Sequence, residues 1–97
     1  MMLTSQQKRY LKSLAHAQKP VVILGKEGLS QAVLREIDRA LDHHELIKIR
    51  IVTEHRETRD LLLQKIADAT GAETIQRIGH MASLFRRNPE KPRISLT

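Results

Sequence analysis

Several residue types and patterns are scarce in this 97-residue chain, and each absence removes a class of protein. The absence of cysteine excludes a disulfide framework and thiolate metal sites, and is consistent with a reducing compartment. Tyr10 and Phe85 are the only aromatic residues, so the chain lacks the paired aromatics that stack single-stranded RNA bases. The longest apolar run, residues 21–24, is far too short to span a membrane.

The N-terminal segment also lacks the apolar stretch of a signal peptide, so we expect a cytoplasmic protein with no membrane partner. A chain of this length is expected to form one domain, residues 1–97, with a single modest core. Its 17 Lys and Arg against 11 Asp and Glu give a formal charge of +6. This excess favours acidic partners, usually RNA, DNA or anionic membranes, although a soluble protein that is merely basic remains an alternative.

A glycine turn joins an apolar segment to a helical pattern. The apolar residues 21–24 run into Gly25, Lys26, Glu27 and Gly28, and an amphipathic helix is predicted to begin at residue 30 or 31. Glycines permit close approach of another backbone, a helix N-terminus offers free N–H groups, and Lys26 adds charge. The junction therefore suits the backbone of a nucleic acid. An ordinary turn between a strand and a helix is the alternative.

The element order predicted from periodicity and turn signals is α-β-α-β-α-β-β, an α/β fold with a mixed four-stranded sheet. Helices are expected over 4–19, from 30 or 31 to 43, and within 53–70, and strands over 21–24, over 46–52, within 72–78 and over about 81–86. The buried face of the third helix is expected to comprise Leu62, Leu63, Ile66 and Ala69, and Gly71 is expected to end that helix. Crossover connections predict parallel neighbours, with one antiparallel pair from a two-residue turn at Gly79 and His80. The apolar first strand is expected to be covered on both faces, with the first helix packed on it.

Alternation in the second strand places Ile47, Ile49 and Ile51 on one face and Lys48 and Arg50 on the other. The isoleucine face is expected to be core, with the second and third helices on that side. The cationic face is either a binding surface or the solvated side of a strand; the absence of a carboxylate within the strand favours binding.

Basic residues also gather near the C-terminus, where Arg86 and Arg87 precede a tail over 88–97 that contains two prolines. We predict that both arginines contact RNA, although basic tails often only add solubility. The tail is expected to be extended and loosely held.

Motifs for catalysis are absent: there is no P-loop, no dinucleotide fingerprint, no nucleophile elbow and no acidic cluster for magnesium. The run His43-His44-Glu45 does not have the spacing of metal ligands. We therefore expect no enzyme, no cofactor, no metal site and no small-molecule substrate.

Three segments together resemble a known family, the CRM domain, and within it the small stand-alone YhbY-like proteins of bacteria. They are the loop Gly-Lys-Glu-Gly-Leu-Ser of residues 25–30, the segment His-Glu-Leu-Ile-Lys-Ile of residues 44–49, and Ile78-Gly79 followed by Leu84-Phe85-Arg86. Their order and spacing agree with the family from residue 3 to about residue 88. The family commonly has Tyr where this chain has Phe85, a mild exchange.

This resemblance implies a compact α/β sandwich similar to the C-terminal domain of translation initiation factor three. It also implies RNA binding, association with precursors of the large ribosomal subunit, and contact of the Gly25–Gly28 loop with the RNA backbone. We expect a monomer in which Lys48, Arg50, Arg86 and Arg87 extend that contact. The alternative is an adaptor that docks on an acidic ribosomal protein or assembly factor.

Overall fold

The computed structural model describes residues 3–25 and 28–96. The predicted element order is confirmed. The elements are α1 Ser5–His16, β1 Val22–Leu24, α2 Gln31–His44, β2 Leu46–Ile51, α3 Arg56–Thr70, β3 Glu73–Ile78 and β4 Met81–Phe85. No helix in the described part of the chain is both long and apolar enough to cross a bilayer.

Local sequence signals account for where the elements begin and end. Thr4 and Gln7 form a reciprocal capping box at the start of α1, and the Ser30 hydroxyl accepts from the Val33 N–H at the start of α2. Gly71 ends α3 in the left-handed conformation, with φ of 71°. Gly79 also has positive φ and begins the two-residue turn between β3 and β4.

The four strands form one mixed sheet in the order β1-β2-β4-β3. β1 runs parallel to β2, whereas β4 pairs antiparallel with both β2 and β3. The expectation that every crossover joins parallel neighbours is therefore wrong for β2 and β3. The β3–β4 hairpin inserts its second strand between them, which leaves β1 and β3 as the two edges.

Helices α2 and α3 pack on the same face of the sheet, as predicted. Ile47, Ile49 and Ile51 lie there, each at most 1% exposed, together with Val22 and Leu24 of β1. Within α3 the buried side chains are Leu63, Ile66 and Thr70, so the prediction that Ala69 is buried is wrong. Burial of these branched side chains at about 1.5–3 kcal/mol each makes this the main core.

Helix α1 packs on the opposite face, but against β2 and β3 rather than β1. Its buried residues Leu11 and Ala15 form a second cluster with Leu46, Ile75 and Phe85. The prediction that α1 covers β1 is therefore wrong, and so is the prediction that both faces of β1 are covered. Since β1 is an edge strand and α1 lies elsewhere, Ile23 is 62% exposed.

The C-terminal segment has no helix or strand, as expected, but it is held by specific contacts rather than loosely. Ile94 and Leu96 pack against the second cluster beside α1. The backbone N–H groups of Asn88, Arg93 and Ile94 donate to the carboxylate of Glu45 at 2.6, 2.6 and 2.9 Å. Residues 88–96 therefore belong to the folded structure.

Candidate nucleic-acid interface

The glycine turn follows β1 directly and leads into α2. The Gly28 N–H donates to the Gly25 carbonyl oxygen at 3.0 Å, which closes the turn, and Gly28 has φ of 73°. Glycine adopts this left-handed backbone without the cost that a side chain imposes. A Cβ at Gly25 or Gly28 would meet no atom of the other described residues within 4 Å, apart from its chain neighbours, so this part of the chain leaves the surface above both glycines open. The predicted contacts Lys26 and Glu27 lie outside the described residues.

A groove adjoins this turn at the end of the sheet where β1 and β2 finish. Its walls come from Gly25 and Gly28, from the segment that joins β2 to α3, from the start of α3 and from His80 in the β3–β4 hairpin. The β2–α3 segment contributes the acidic Glu54, and α3 contributes Thr58, Arg59 and Leu62. The Val52 N–H donates to the Leu24 carbonyl oxygen at 2.8 Å, which fixes the glycine turn against the β2–α3 segment. The groove is thus a continuation of the glycine turn.

Polar groups are positioned along this groove by the backbone around it. Arg59 donates from a terminal guanidinium nitrogen to the Thr53 carbonyl oxygen at 3.0 Å, and its buried Nε–H has no partner among the described residues. A ring nitrogen of His80 lies 3.1 Å from the Ile51 carbonyl oxygen. These contacts place a cation and an imidazole beside the open turn, where the positive charge of Arg59 favours a phosphate.

Lys48 and Arg50 lie on the face of β2 that points away from α2 and α3, as predicted. Arg50 is exposed and Lys48 is half-buried. Among the residues that the structure describes, neither has a carboxylate within ion-pair distance. Both cations are therefore available to a ligand, but on a different surface from the groove.

Arg86 is half-buried and held by groups of the same chain, at the opposite end of the sheet from the glycine turn. One terminal nitrogen donates to the Asp38 carboxylate and to the Thr70 carbonyl oxygen, and the other donates to the Asp42 carboxylate and to the Asp38 carbonyl oxygen. The guanidinium thereby joins α2 to the end of α3. With four N–H donors engaged, Arg86 is placed as a structural clamp, and little of its hydrogen-bonding capacity remains for a phosphate.

Arg87 and Glu45 form a second internal arrangement beside it. Arg87 donates to the Ile94 carbonyl oxygen at 2.7 Å and lies 3.9 Å from the carboxylate of Glu45. Glu45 itself is fully buried and adopts φ of 61° between α2 and β2, a strained conformation for a non-glycine residue. Its backbone oxygen also accepts from the Arg86 N–H at 2.9 Å.

The pKa of the Glu45 carboxyl reflects two opposing effects. Burial of the carboxyl raises its pKa. The N–H bonds from Asn88, Arg93 and Ile94, together with the charge of Arg87, lower the pKa by more than burial raises it, so the pKa lies below the ordinary value of 4.5. Glu45 is therefore ionised in the folded protein at neutral pH. Its carboxylate organises the C-terminal segment.

The structure thus divides the predicted site residues among three places. Gly25 and Gly28 lie beside the groove, Lys48 and Arg50 lie on the open sheet face, and Arg86 and Arg87 lie in the internal arrangement at the other end. Arg59 and His80 in the groove were not predicted as site residues. Only His80 carried a weak sequence signal, because it belongs to the predicted turn after β3; Arg59 lies within α3, and no sequence motif marked it.

Comparison with known proteins identifies the family. The sequence model of the CRS1 / YhbY (CRM) domain family matches residues 3–86 of this chain. This chain belongs to the CRS1 / YhbY (CRM) domain family. The CRM-domain chain is 47% identical over 88 residues to a Haemophilus influenzae protein named "RNA-binding protein", covering 91% of this chain and 89% of the relative. It is also 41% identical over 97 residues to a Pseudomonas aeruginosa protein named "Probable RNA-binding protein", and the match covers 100% of this chain and 92% of that relative.

A solved structure supports the fold of this CRM domain. The solution structure of a hypothetical protein from Staphylococcus aureus superposes with a TM-score of 0.84 at 36% identity, covering 99% of this chain and 100% of that one. The predicted α/β fold with a mixed four-stranded sheet is therefore confirmed at the level of the whole domain.

Proposed function

We propose that this CRM-domain protein binds RNA, with the glycine turn and the adjoining groove as the main contact. The observation that carries the proposal is the open turn at Gly25 and Gly28, fixed at the start of α2 and flanked by Arg59 and His80. Relatives named as RNA-binding proteins match nearly the whole chain, which supports the same assignment. The formal charge of +6 favours a polyanionic ligand.

In this proposal the RNA backbone lies across the glycine turn. Main-chain N–H groups and Lys26 contact phosphate, and Arg59 contributes a second cation from the far wall of the groove. Because the chain offers no paired aromatics for stacking bases, affinity comes from backbone charge and RNA shape, and sequence specificity is low.

The finer proposal is that the RNA belongs to precursors of the large ribosomal subunit and that the protein acts there as a non-enzymatic, monomeric assembly factor in the cytoplasm. It rests on the resemblance of the three sequence segments to YhbY-like proteins. Arg86 and Arg87 act indirectly in this proposal, because the Arg86 side chain joins α2 to the end of α3 and the Arg87 side chain holds the C-terminal segment. Contact of Lys48 and Arg50 with RNA stays a prediction. The two residues lie on a separate surface of the sheet, and the composition of that surface favours a protein ligand.

Sedimentation of cell extracts tests the ribosomal part of the proposal. At low salt the protein is expected to migrate with large-subunit precursors, and high salt should release it because the contacts are electrostatic. Lys26→Glu should move the protein to light fractions. Lys91→Glu, the same charge reversal on an exposed residue at the opposite end, should not. Wild-type protein found only in light fractions at low salt would contradict a ribosomal target.

A further inference from the structure

One half of the sheet face opposite α2 and α3 is uncovered. Two rows of side chains cross it in register: Ile23, Arg50, Met81 and Ile78 form one row, and Lys48, Ser83 and Gln76 form the next. We call these seven residues the open sheet face. Ile23 and Ile78 are each 62% exposed, unusual exposure for large aliphatic side chains in one row.

Neighbouring segments of the chain leave this face open. Helix α1 ends at His16 and covers only the other half of the sheet, where Leu46 and Phe85 lie. The C-terminal segment is drawn to that same half, where Ile94 packs beside α1. The described parts of the chain therefore leave Ile23, Arg50 and Ile78 exposed. The rest of the open sheet face is less accessible, because Lys48, Gln76 and Met81 are half-buried and Ser83 is buried on the side where His16 lies.

The composition of the open sheet face favours a protein over RNA. Exposed isoleucines and a methionine offer neither stacking surfaces for bases nor hydrogen bonds for phosphates and riboses, whereas they bury well against aliphatic side chains. Arg50 lies between Ile23 and Met81 in the row, so its apolar stem continues the patch while its guanidinium remains free. Apolar contact with cations at its margin is typical of a protein interface.

Charge specifies the kind of protein segment. Neither row contains Asp or Glu, and Lys48 and Arg50 have no ion-pair partner among the described residues. A second copy of this chain would bring cations against cations, which disfavours a homodimer through this face. A segment with carboxylates beside aliphatic side chains would complement both the cations and the exposed aliphatic side chains of this face.

We propose that the open sheet face binds a segment of a partner protein in which aliphatic side chains are flanked by Asp or Glu. The aliphatic side chains cover Ile23, Met81 and Ile78, and the carboxylates pair with Arg50 and Lys48. This interaction is separate from RNA binding at the glycine turn. The protein can therefore join an acidic protein to an RNA.

Site-specific photo-cross-linking in cells is the first test. A benzophenone amino acid at position 78 should give cross-links that resist ribonuclease and are lost with protease. The same amino acid at position 35, an exposed site on α2, should give few. Mass spectrometry of the cross-linked peptide should find acidic and aliphatic residues together. Cross-links to RNA, cross-links no stronger than at position 35, or a segment without carboxylates would overturn the proposal.

A synthetic peptide with the cross-linked sequence completes the test with purified protein. Arg50→Glu and Ile78→Ser should each weaken binding of this peptide at least about tenfold. Lys65→Glu, an exposed charge reversal on α3, should change it less than about twofold. Lys26→Ala should weaken RNA binding only, which separates failure of this proposal from failure of the RNA proposal. Equal peptide affinity in Arg50→Glu and wild type would overturn the docking surface.

Discussion

The two ends of the sheet use their arginine residues differently. At the end where β2 begins, Arg86 and Arg87 are bound by carboxylates and carbonyl oxygens of the same chain. At the other end, the described residues leave the glycine turn open, and the guanidinium of Arg59 beside it has no carboxylate partner among them. The difference teaches that basic residues close to one another in sequence need not form a binding surface, because internal carboxylates and carbonyl oxygens can occupy their donors.

The largest effect is expected from Glu45→Ala. This change removes the buried acceptor for three backbone N–H groups and frees the C-terminal segment. We expect the free energy of unfolding to fall by about 3–5 kcal/mol, measured by urea denaturation, because buried donors lose their partner. Glu90→Ala, at an exposed position of the same segment, should change it by less than about 0.5 kcal/mol.

Glu45→Gly sharpens this prediction because it separates the carboxylate from the backbone conformation. Glycine adopts the positive φ at this position readily, so Glu45→Gly should be about 1 kcal/mol less destabilising than Glu45→Ala. A Glu45→Ala protein as stable as wild type would contradict a structural role for this end of the sheet.

Arg86→Ala should have the next largest effect on stability. The variant loses four hydrogen bonds that join α2 to the end of α3, although Asp38 and Asp42 are more than half exposed and regain water. We expect a loss of about 1–3 kcal/mol in urea denaturation, and Arg86→Lys should restore only part of it because lysine lacks the planar fork. The RNA affinity of the folded Arg86→Ala variant should equal that of wild type. A large loss of RNA affinity with an unchanged free energy of unfolding would instead place Arg86 in the RNA interface.

A smaller effect follows from the lowered pKa of Glu45. Because the folded state binds this proton less tightly than the unfolded state, its contribution is fully present above the ordinary pKa of 4.5 and is lost as pH falls through the folded value. Urea midpoints measured from about pH 7 to about pH 3 should fall more steeply in wild type than in Glu45→Gln. Parallel pH profiles for the two proteins would contradict an ionised Glu45 in the folded state.

Sequence periodicity predicted those parts of the fold that depend on local pattern. Alternation in β2 predicted which face the isoleucines bury, since a shift of one residue would reverse it. Glycine at positions 71 and 79 predicted a helix end and a hairpin turn because each needs positive φ. The glycine turn was placed correctly between β1 and α2 for the same reason.

Features that depend on contacts distant in sequence could not be predicted. The crossover rule gives the direction of β2 and β3 but does not exclude β4 from the space between them. An apolar run does not distinguish an edge strand from a central one, so the exposure of Ile23 was missed. Nothing near Arg86 in sequence indicates its partners Asp38 and Asp42, which lie more than forty residues earlier.

The salt dependence of RNA affinity tests the central claim most directly, with a fragment of large-subunit precursor RNA as the ligand. Lys26 belongs to the glycine turn, and Lys91 is an exposed lysine at the opposite end. We predict that Lys26→Ala lowers the slope of log affinity against log salt by about one unit, whereas Lys91→Ala leaves it unchanged. Equal slopes for wild type and Lys26→Ala, or a lower slope for Lys91→Ala alone, would contradict RNA binding at the glycine turn.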